Sequence, residues 1–119
     1  MANQIVWCDI PVKDLDRAIK FYSAVLGQAV SKETVGEMIF GLLPDAYSGV
    51  SGCLVLGDAQ PSTNGPMIYM NCDKRLDDAV AVVEKNGGKI LKPKHQIGPH
   101  GFRAVVLDSE GNRIALHST

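Results

Sequence analysis

The chain has 119 residues, of which 45% are hydrophobic and 21% charged, and its formal net charge is −1. This size predicts one compact globular domain, because the chain is too short for two independent hydrophobic cores. The sequence contains no basic cluster of more than a few residues, no signal-peptide pattern and no apolar run of bilayer length, so neither nucleic acid nor membrane is an expected partner.

The first half of the chain reads as a strand, a helix and three further strands. The helix is predicted over residues 14–26, with Asp14 as its N-cap and Gly27 as its left-handed C-terminal residue. Apolar residues at helical spacing give it one buried face. The strands of this first module are predicted over residues 5–12, 28–34, 37–43 and 50–57.

The segment 58–66 contains two prolines with Ser, Thr, Asn and Gly, and is the best candidate for a linker. The second half then repeats the order of the first. A helix is predicted over residues 76–86, and both helices open on similar tetrapeptides, Leu15–Ala18 and Leu76–Ala79. The strands of this second module are predicted over residues 67–72, 89–97, 102–108 and 113–118. Such a repeat predicts a single domain over residues 1–119, built from module one (4–57) and module two (67–118).

Strand alternation separates two faces in each module. On the first strand, Ile10 and its alternate neighbours are apolar and should pack on a helix, whereas Trp7 and Asp9 point to the other face. On the equivalent strand of the second module, Met67, Tyr69 and Asn71 occupy that other face. These mixed aromatic and polar side chains suit a cleft between the modules.

Two segments carry a family resemblance. Residues 10–22, Ile-Pro-Val-Lys-Asp-Leu-Asp-Arg-Ala-Ile-Lys-Phe-Tyr, close at Leu26-Gly27 and resemble the opening motif of the vicinal oxygen chelate superfamily. Residues 108–116, Asp-Ser-Glu-Gly-Asn-Arg-Ile-Ala-Leu, resemble its final hairpin. The superfamily contains glyoxalase I, bleomycin-resistance proteins, fosfomycin-resistance enzymes and extradiol dioxygenases. The resemblance implies an α+β fold of tandem βαβββ modules, whose curved mixed sheet forms an incomplete barrel around a cleft.

The resemblance also implies where a divalent metal ion would bind in the metal-dependent members. Those ligand positions fall on Trp7, Met67 and Ala115, and the strand 50–57 contains no carboxylate or imidazole. Indole, thioether and methyl groups cannot supply the nitrogen and oxygen ligands that such ions require. We therefore expect no metal cofactor.

The roles of Trp7 and Met67 have two interpretations. These side chains line a small-molecule pocket, or they fill the funnel and stabilise a dimer. Asp9 is either a proton donor or acceptor in the cleft or a partner in an ordinary hydrogen bond. His117 is either a ligand contact and general base or a solvated residue near the end of the chain.

The stretch 94–102 holds two glycines, a proline and both His95 and His100, which predicts a constrained turn at the mouth of the cleft, followed by Phe102 and Arg103. The spacing of the two histidines is unlike that of common metal sites. Cys8, Cys53 and Cys72 have no neighbouring positive charge that would mark a nucleophile, and their odd number predicts reduced thiols in a cytoplasmic protein.

Two functions remain open. The first is a metal-independent protein that sequesters or carries a small organic molecule. The second is an enzyme of the superfamily (a lyase, isomerase or dioxygenase), metal-free or with atypical metal ligands. In either case a homodimer is expected, because each curved sheet leaves edges to be covered. The candidate ligand-binding residues are Trp7, Asp9, Met67, Tyr69, Asn71, Phe102, Arg103 and His117.

Overall fold

The structure, a computed structural model, describes residues 3–119 and confirms the predicted order of elements in both modules. The first module contains β1 (Trp7–Pro11), α1 (Leu15–Leu26), β2 (Ser31–Val35), β3 (Met38–Leu42) and β4 (Ser51–Val55). The second contains β5 (Ile68–Asn71), α2 (Leu76–Val83), β6 (Lys89–Gln96), β7 (Phe102–Leu107) and β8 (Arg113–Ser118). The predicted α+β fold class is confirmed.

The strands form two four-stranded mixed sheets, in the orders β1-β4-β3-β2 and β5-β8-β7-β6. In each sheet the first and last strands of the module pair in parallel, and the other pairs are antiparallel. Within residues 3–119 no ladder joins β1 to β5, so the two sheets stay separate and do not close into a barrel. The two inner edge strands instead border a groove.

Helix α1 begins and ends as its sequence predicts. The side chain of Asp14 accepts a hydrogen bond from the backbone N–H of Arg17, and Gly27 adopts φ 69° to close the helix. Helix α2 is shorter than predicted, because α-helical geometry stops at Val83 and one 3₁₀ turn covers Glu84–Asn86. Within residues 3–119, neither helix has the length and apolar character needed to span a membrane.

One core serves both modules. The two helices contact each other, and each also packs on the sheet of its own module. Ile10 and Leu54 line the core from the first sheet, and Val106 and Leu116 line it from the second. Each fully buried side chain of this size contributes roughly 1.5–3 kcal/mol. The opposite face of each sheet is therefore left for other contacts.

The hairpin between β7 and β8 joins the second module to the first. The carboxylate of Glu110 accepts 2.8 Å hydrogen bonds from the backbone N–H groups of Lys13 and Asp14. It also forms a 2.7 Å ion pair with Arg17. Burial of Glu110 opposes its ionisation, but the bonds from Arg17 and the two N–H groups outweigh burial and lower its pKa to about 2. The negative charge of a side chain from module two thus offsets the partial positive charge at the N-terminus of α1.

Candidate functional site

On the first sheet, the predicted site residues Trp7 and Asp9 lie together on the face opposite the core. The indole Nε1 of Trp7 donates to Asp9 Oδ1 at 3.2 Å, and the Cys53 thiol donates to the same oxygen at 3.3 Å. Burial and the bond to Asp9 raise the pKa of Cys53 to about 11. The thiol therefore stays protonated and acts here as a hydrogen-bond donor rather than a nucleophile.

A groove of about 550 Å³ lies between β1 and β5. Three of the predicted site residues, Trp7, Tyr69 and Asn71, line it together. Trp7 and Tyr69 are 40% and 46% exposed, so both aromatic rings present area that a ligand can cover. This volume is within the range of small-molecule pockets.

On the second sheet, three predicted or neighbouring side chains form one network around Arg103. Its Nε donates to Nε2 of His95 at 3.0 Å, and its Nη1 donates to the hydroxyl of Tyr69. The ring of His117 meets that of Tyr69 edge-on, with centroids 6.1 Å apart. A cavity of about 490 Å³ opens over Tyr69, Arg103 and His117. Tyr69 borders both this cavity and the groove, and so connects them.

The partners of the two histidines assign their tautomers. His95 Nε2 accepts from Arg103, so the proton of the neutral ring is on Nδ1, which lies 2.9 Å from the Pro93 carbonyl oxygen. His117 Nε2 lies 2.7 Å from the carbonyl oxygen of His100 and donates to it. Nδ1 of a neutral His117 is then the ring atom able to accept a proton.

The turn before β7 is held against His117 by that bond. Gly98–His100 form a single 3₁₀ turn, and Gly101 follows with φ 94°. A Cβ at Gly101 would lie 2.3 Å from the carbonyl oxygen of Ser118, so only glycine fits. The turn thus borders the 490 Å³ cavity at a defined position.

In the groove, the Asn71 side chain accepts a 2.9 Å hydrogen bond from the backbone N–H of Asp73. Two other predicted residues are placed less centrally. Met67 precedes β5 and does not line the groove. Phe102 lies on the opposite face from Arg103, where the Lys94 ammonium stands 5.3 Å from its ring centroid. The structure therefore separates Phe102 from the Arg103 cluster.

The side chains present do not fit a divalent metal ion at the positions that the resemblance implies. The Trp7 ring nitrogen carries a proton and is a donor, and Ala115 presents a buried methyl group. Asp9 and Cys53 lie together and could contribute ligands, but two side chains are fewer than the three protein ligands that a catalytic divalent site uses. Within the described chain, residues 3–119, no three His, Cys, Asp or Glu side chains are grouped to hold a metal.

Sequence reasoning missed the role of His95. Strict alternation along β6 would place His95 and Lys92 on opposite faces. The ladder between β6 and β7 is irregular, however, with Lys92 opposite Val105 and His95 opposite Arg103. A bulge of this kind, next to Pro93, puts Lys92 and His95 on the same face. Pro93 is the one residue of β6 that points to such a bulge in the sequence.

Comparison with known proteins gives a consistent result. The profile of the Glyoxalase/Bleomycin resistance protein/Dioxygenase superfamily matches residues 4–116. A glyoxylase-like domain-containing protein of Didymella fabae is 33% identical over 121 residues, which cover 96% of this chain and 92% of that protein.

Solved structures share the fold. The crystal structure of a glyoxalase/bleomycin resistance protein from Albidiferax ferrireducens has a TM-score of 0.73 at 20% identity, covering 98% of this chain and 100% of that one. A mutant of glyoxalase I from Zea mays has a TM-score of 0.71 at 22% identity. The match covers 93% of this chain but only 44% of the maize chain, so this chain spans about half of that protein.

Proposed function

Because this chain belongs to the glyoxalase/bleomycin resistance protein/dioxygenase superfamily, we propose that it binds a small organic molecule without a metal ion and sequesters or carries it. The observation that carries the proposal is the groove between β1 and β5, with Trp7 and Tyr69 on its walls. Two half-exposed aromatic rings offer stacking area, and Trp7 stands at a position where the resemblance would otherwise put a metal ligand. The ligand contacts proposed are Trp7, Asp9, Tyr69, Asn71, Arg103 and His117.

A thermal-shift screen tests this function. Small organic compounds are screened at constant pH with and without a chelator, and the metal content of the purified protein is measured in parallel. We expect some compounds to raise the melting temperature equally in both conditions, since binding to the folded state stabilises it by mass action. One equivalent of bound zinc, nickel, manganese or iron, or a chelator-induced drop in melting temperature, would contradict the metal-independent function.

A second candidate function is an enzyme of the superfamily, and one observation favours it. The Nε2 proton of His117 is donated to the carbonyl oxygen of His100, and Nδ1, beside the 490 Å³ cavity, has no hydrogen-bond partner among residues 3–119. In its neutral form, an imidazole fixed in this way can accept a proton from a bound substrate. The competing reading is that His117 only anchors the 98–100 turn.

The proposal includes a cytoplasmic homodimer. Cys8, Cys53 and Cys72 are all free thiols, which suits a reducing compartment. Met38 and Ile39 of the first sheet are 60% and 46% exposed, and a second copy would cover them. Analytical ultracentrifugation at tens of micromolar protein tests the dimer, and a monomer at that concentration would refute it.

A further inference from the structure

The second sheet is unusual in its charge. Its four strands, all within the described residues, contain no Asp or Glu. They carry five cationic side chains and two histidines: Lys89, Lys92, Lys94, Arg103 and Arg113, with His95 and His117. The chain as a whole has a net charge of −1, so this distribution is local and does not follow from overall composition.

Strand register puts most of these basic groups on the face away from the core. His95, Arg103 and His117 are direct neighbours across β6, β7 and β8. In the next row, Lys92 stands opposite Val105, and Val105 pairs with Ala115 of β8. Ala115 pairs in turn with Tyr69 of β5. These directly paired residues share a face. We call the face that carries Lys92, His95, Arg103 and His117 the basic face.

One basic residue of the second sheet, Lys94, lies on the opposite face. Its ammonium pairs with Asp77 of α2 at 3.1 Å. The ion pairs within residues 3–119 are formed by Lys94, Lys32 and Arg17. The positive charge of Arg103 is therefore not balanced by a carboxylate of the described chain.

The guanidinium of Arg103 is also oriented for a ligand. Its Nε and Nη1 donate to two neutral acceptors, the ring of His95 and the hydroxyl of Tyr69. Its Nη2 has no hydrogen-bond partner among residues 3–119 and is not a buried atom. Nη2 is thus accessible to solvent, with the planar group fixed at two other points. The two N–H groups of Nη2 can therefore donate to the oxygens of a carboxylate or phosphate.

We propose that the small molecule bound by this protein carries an oxyanion (a carboxylate or a phosphate monoester), which Arg103 receives on the basic face, while an apolar body extends past Tyr69 into the groove beside Trp7. This inference rests on the proposed binding function and adds the chemical class of the ligand. Tyr69 connects the two parts of this site, since it borders both the cavity over Arg103 and the groove. The site excludes cationic ligands by like-charge repulsion.

Three probes of matched shape test the proposal: benzoate, phenyl phosphate and neutral benzamide. Binding is followed by the fluorescence of Trp7, the one tryptophan of the chain, and by the ¹⁵N–¹H signal of Arg103 Nε. We expect at least one oxyanion probe to shift the Arg103 signal and to bind about tenfold or more tightly than benzamide. The stronger of the two oxyanions then identifies carboxylate or phosphate as the ligand group.

Charge variants supply the matched control. Arg103→Gln should weaken the preferred oxyanion by about tenfold or more and leave benzamide unchanged. Lys32→Gln removes the same charge from an exposed pair with Asp16 on the first sheet, and should leave both affinities unchanged. Arg103→Lys keeps the charge but loses the planar group that His95 and Tyr69 hold in place, and should give an intermediate affinity. If Arg103→Gln does not fold, the comparison of probes on the unmodified protein still decides the question.

The outcomes separate this inference from the function it rests on. Equal affinity for benzoate, phenyl phosphate and benzamide would overturn the oxyanion site but leave a small-molecule binding protein. The same holds if neither oxyanion binds at millimolar concentration while the thermal-shift screen finds neutral ligands. Oxyanion binding that is unaffected by Arg103→Gln would show that the anion is received elsewhere, and would also overturn the proposal.

Discussion

The phenol of Tyr22 donates a 2.5 Å hydrogen bond to the carboxylate of Asp108, which lies 86 positions further along the chain. Both side chains are buried, Tyr22 in the first helix and Asp108 in the last hairpin. Burial, followed by the neighbouring Asp108 charge, raises the pKa of Tyr22 well above its ordinary value. The phenol therefore keeps its proton and remains a donor, so that this bond ties the two modules through their shared core.

Tyr22→Phe should destabilise the fold. The substitution keeps the ring but removes one donor from a buried carboxylate, which still accepts from Asn112 and from the Glu110 N–H. A hydrogen bond to a charged group is worth roughly 1.5–3 kcal/mol, and we expect a loss in that range in the free energy of unfolding by urea. Tyr47→Phe is the matched control, because Tyr47 is 95% exposed, and it should have no effect. An equal stability of both variants would contradict the role of the buried bond.

Glu110 predicts how stability depends on pH. Its pKa falls from an ordinary 4.5 to about 2 in the folded protein, so the folded state binds the proton less readily than the unfolded chain. The stabilisation is then fully present above about pH 4.5 and is lost as the pH falls towards 2. Glu110→Gln should lower stability at neutral pH by roughly 1–3 kcal/mol and flatten the acid limb.

Glu84→Gln is the control for that experiment, because Glu84 is exposed and makes no side-chain hydrogen bond or ion pair with residues 3–119. Urea unfolding at several pH values between 2 and 7 measures both variants. A Glu110→Gln protein whose stability falls with acid as steeply as that of the unmodified chain would disprove the assignment.

Trp7→Ala should weaken the binding of an aromatic ligand by roughly 1–3 kcal/mol, since it removes half-exposed ring area from the wall of the groove. Asn71→Ala should cost about 1 kcal/mol through the loss of one orienting hydrogen bond. Isothermal titration with a compound from the thermal-shift screen measures both. Val35→Ala, at a residue 65% exposed outside the groove, should bind as the unmodified protein does. Unchanged affinity in Trp7→Ala would place the ligand elsewhere.

His117→Ala distinguishes the two candidate functions. A sequestering protein should keep most of its affinity, because His117 shares the cavity with Tyr69 and Arg103. An enzyme that uses Nδ1 of His117 as a base should lose turnover with little change in binding. Ligand titration combined with product analysis by mass spectrometry gives both readouts. If no ligand is consumed by the unmodified protein, the enzyme reading fails.

Local sequence signals were enough to predict the order of the elements and the two faces of β1. Asp14 and Gly27 delimit α1 through backbone bonding that depends on neighbouring residues alone. Alternation separated Trp7 and Asp9 from Ile10, because consecutive strand side chains point to opposite faces. The same rule applies to Phe102 and Arg103, which the sequence analysis grouped in one site and the structure separates.

Contacts between distant parts of the chain depend on how the strands pair and how the modules pack. The irregular ladder of β6 brings His95 opposite Arg103, and the last hairpin brings Glu110 to the start of α1. Neither follows from local pattern, because a bulge changes the face of every later side chain on its strand and a hairpin's partner depends on how the modules pack. Local pattern predicts two matching modules with a mixed face on each. Strand register within module two brings His95, Arg103 and His117 together around Tyr69, and the packing of the two modules places Trp7 in the same groove as Tyr69.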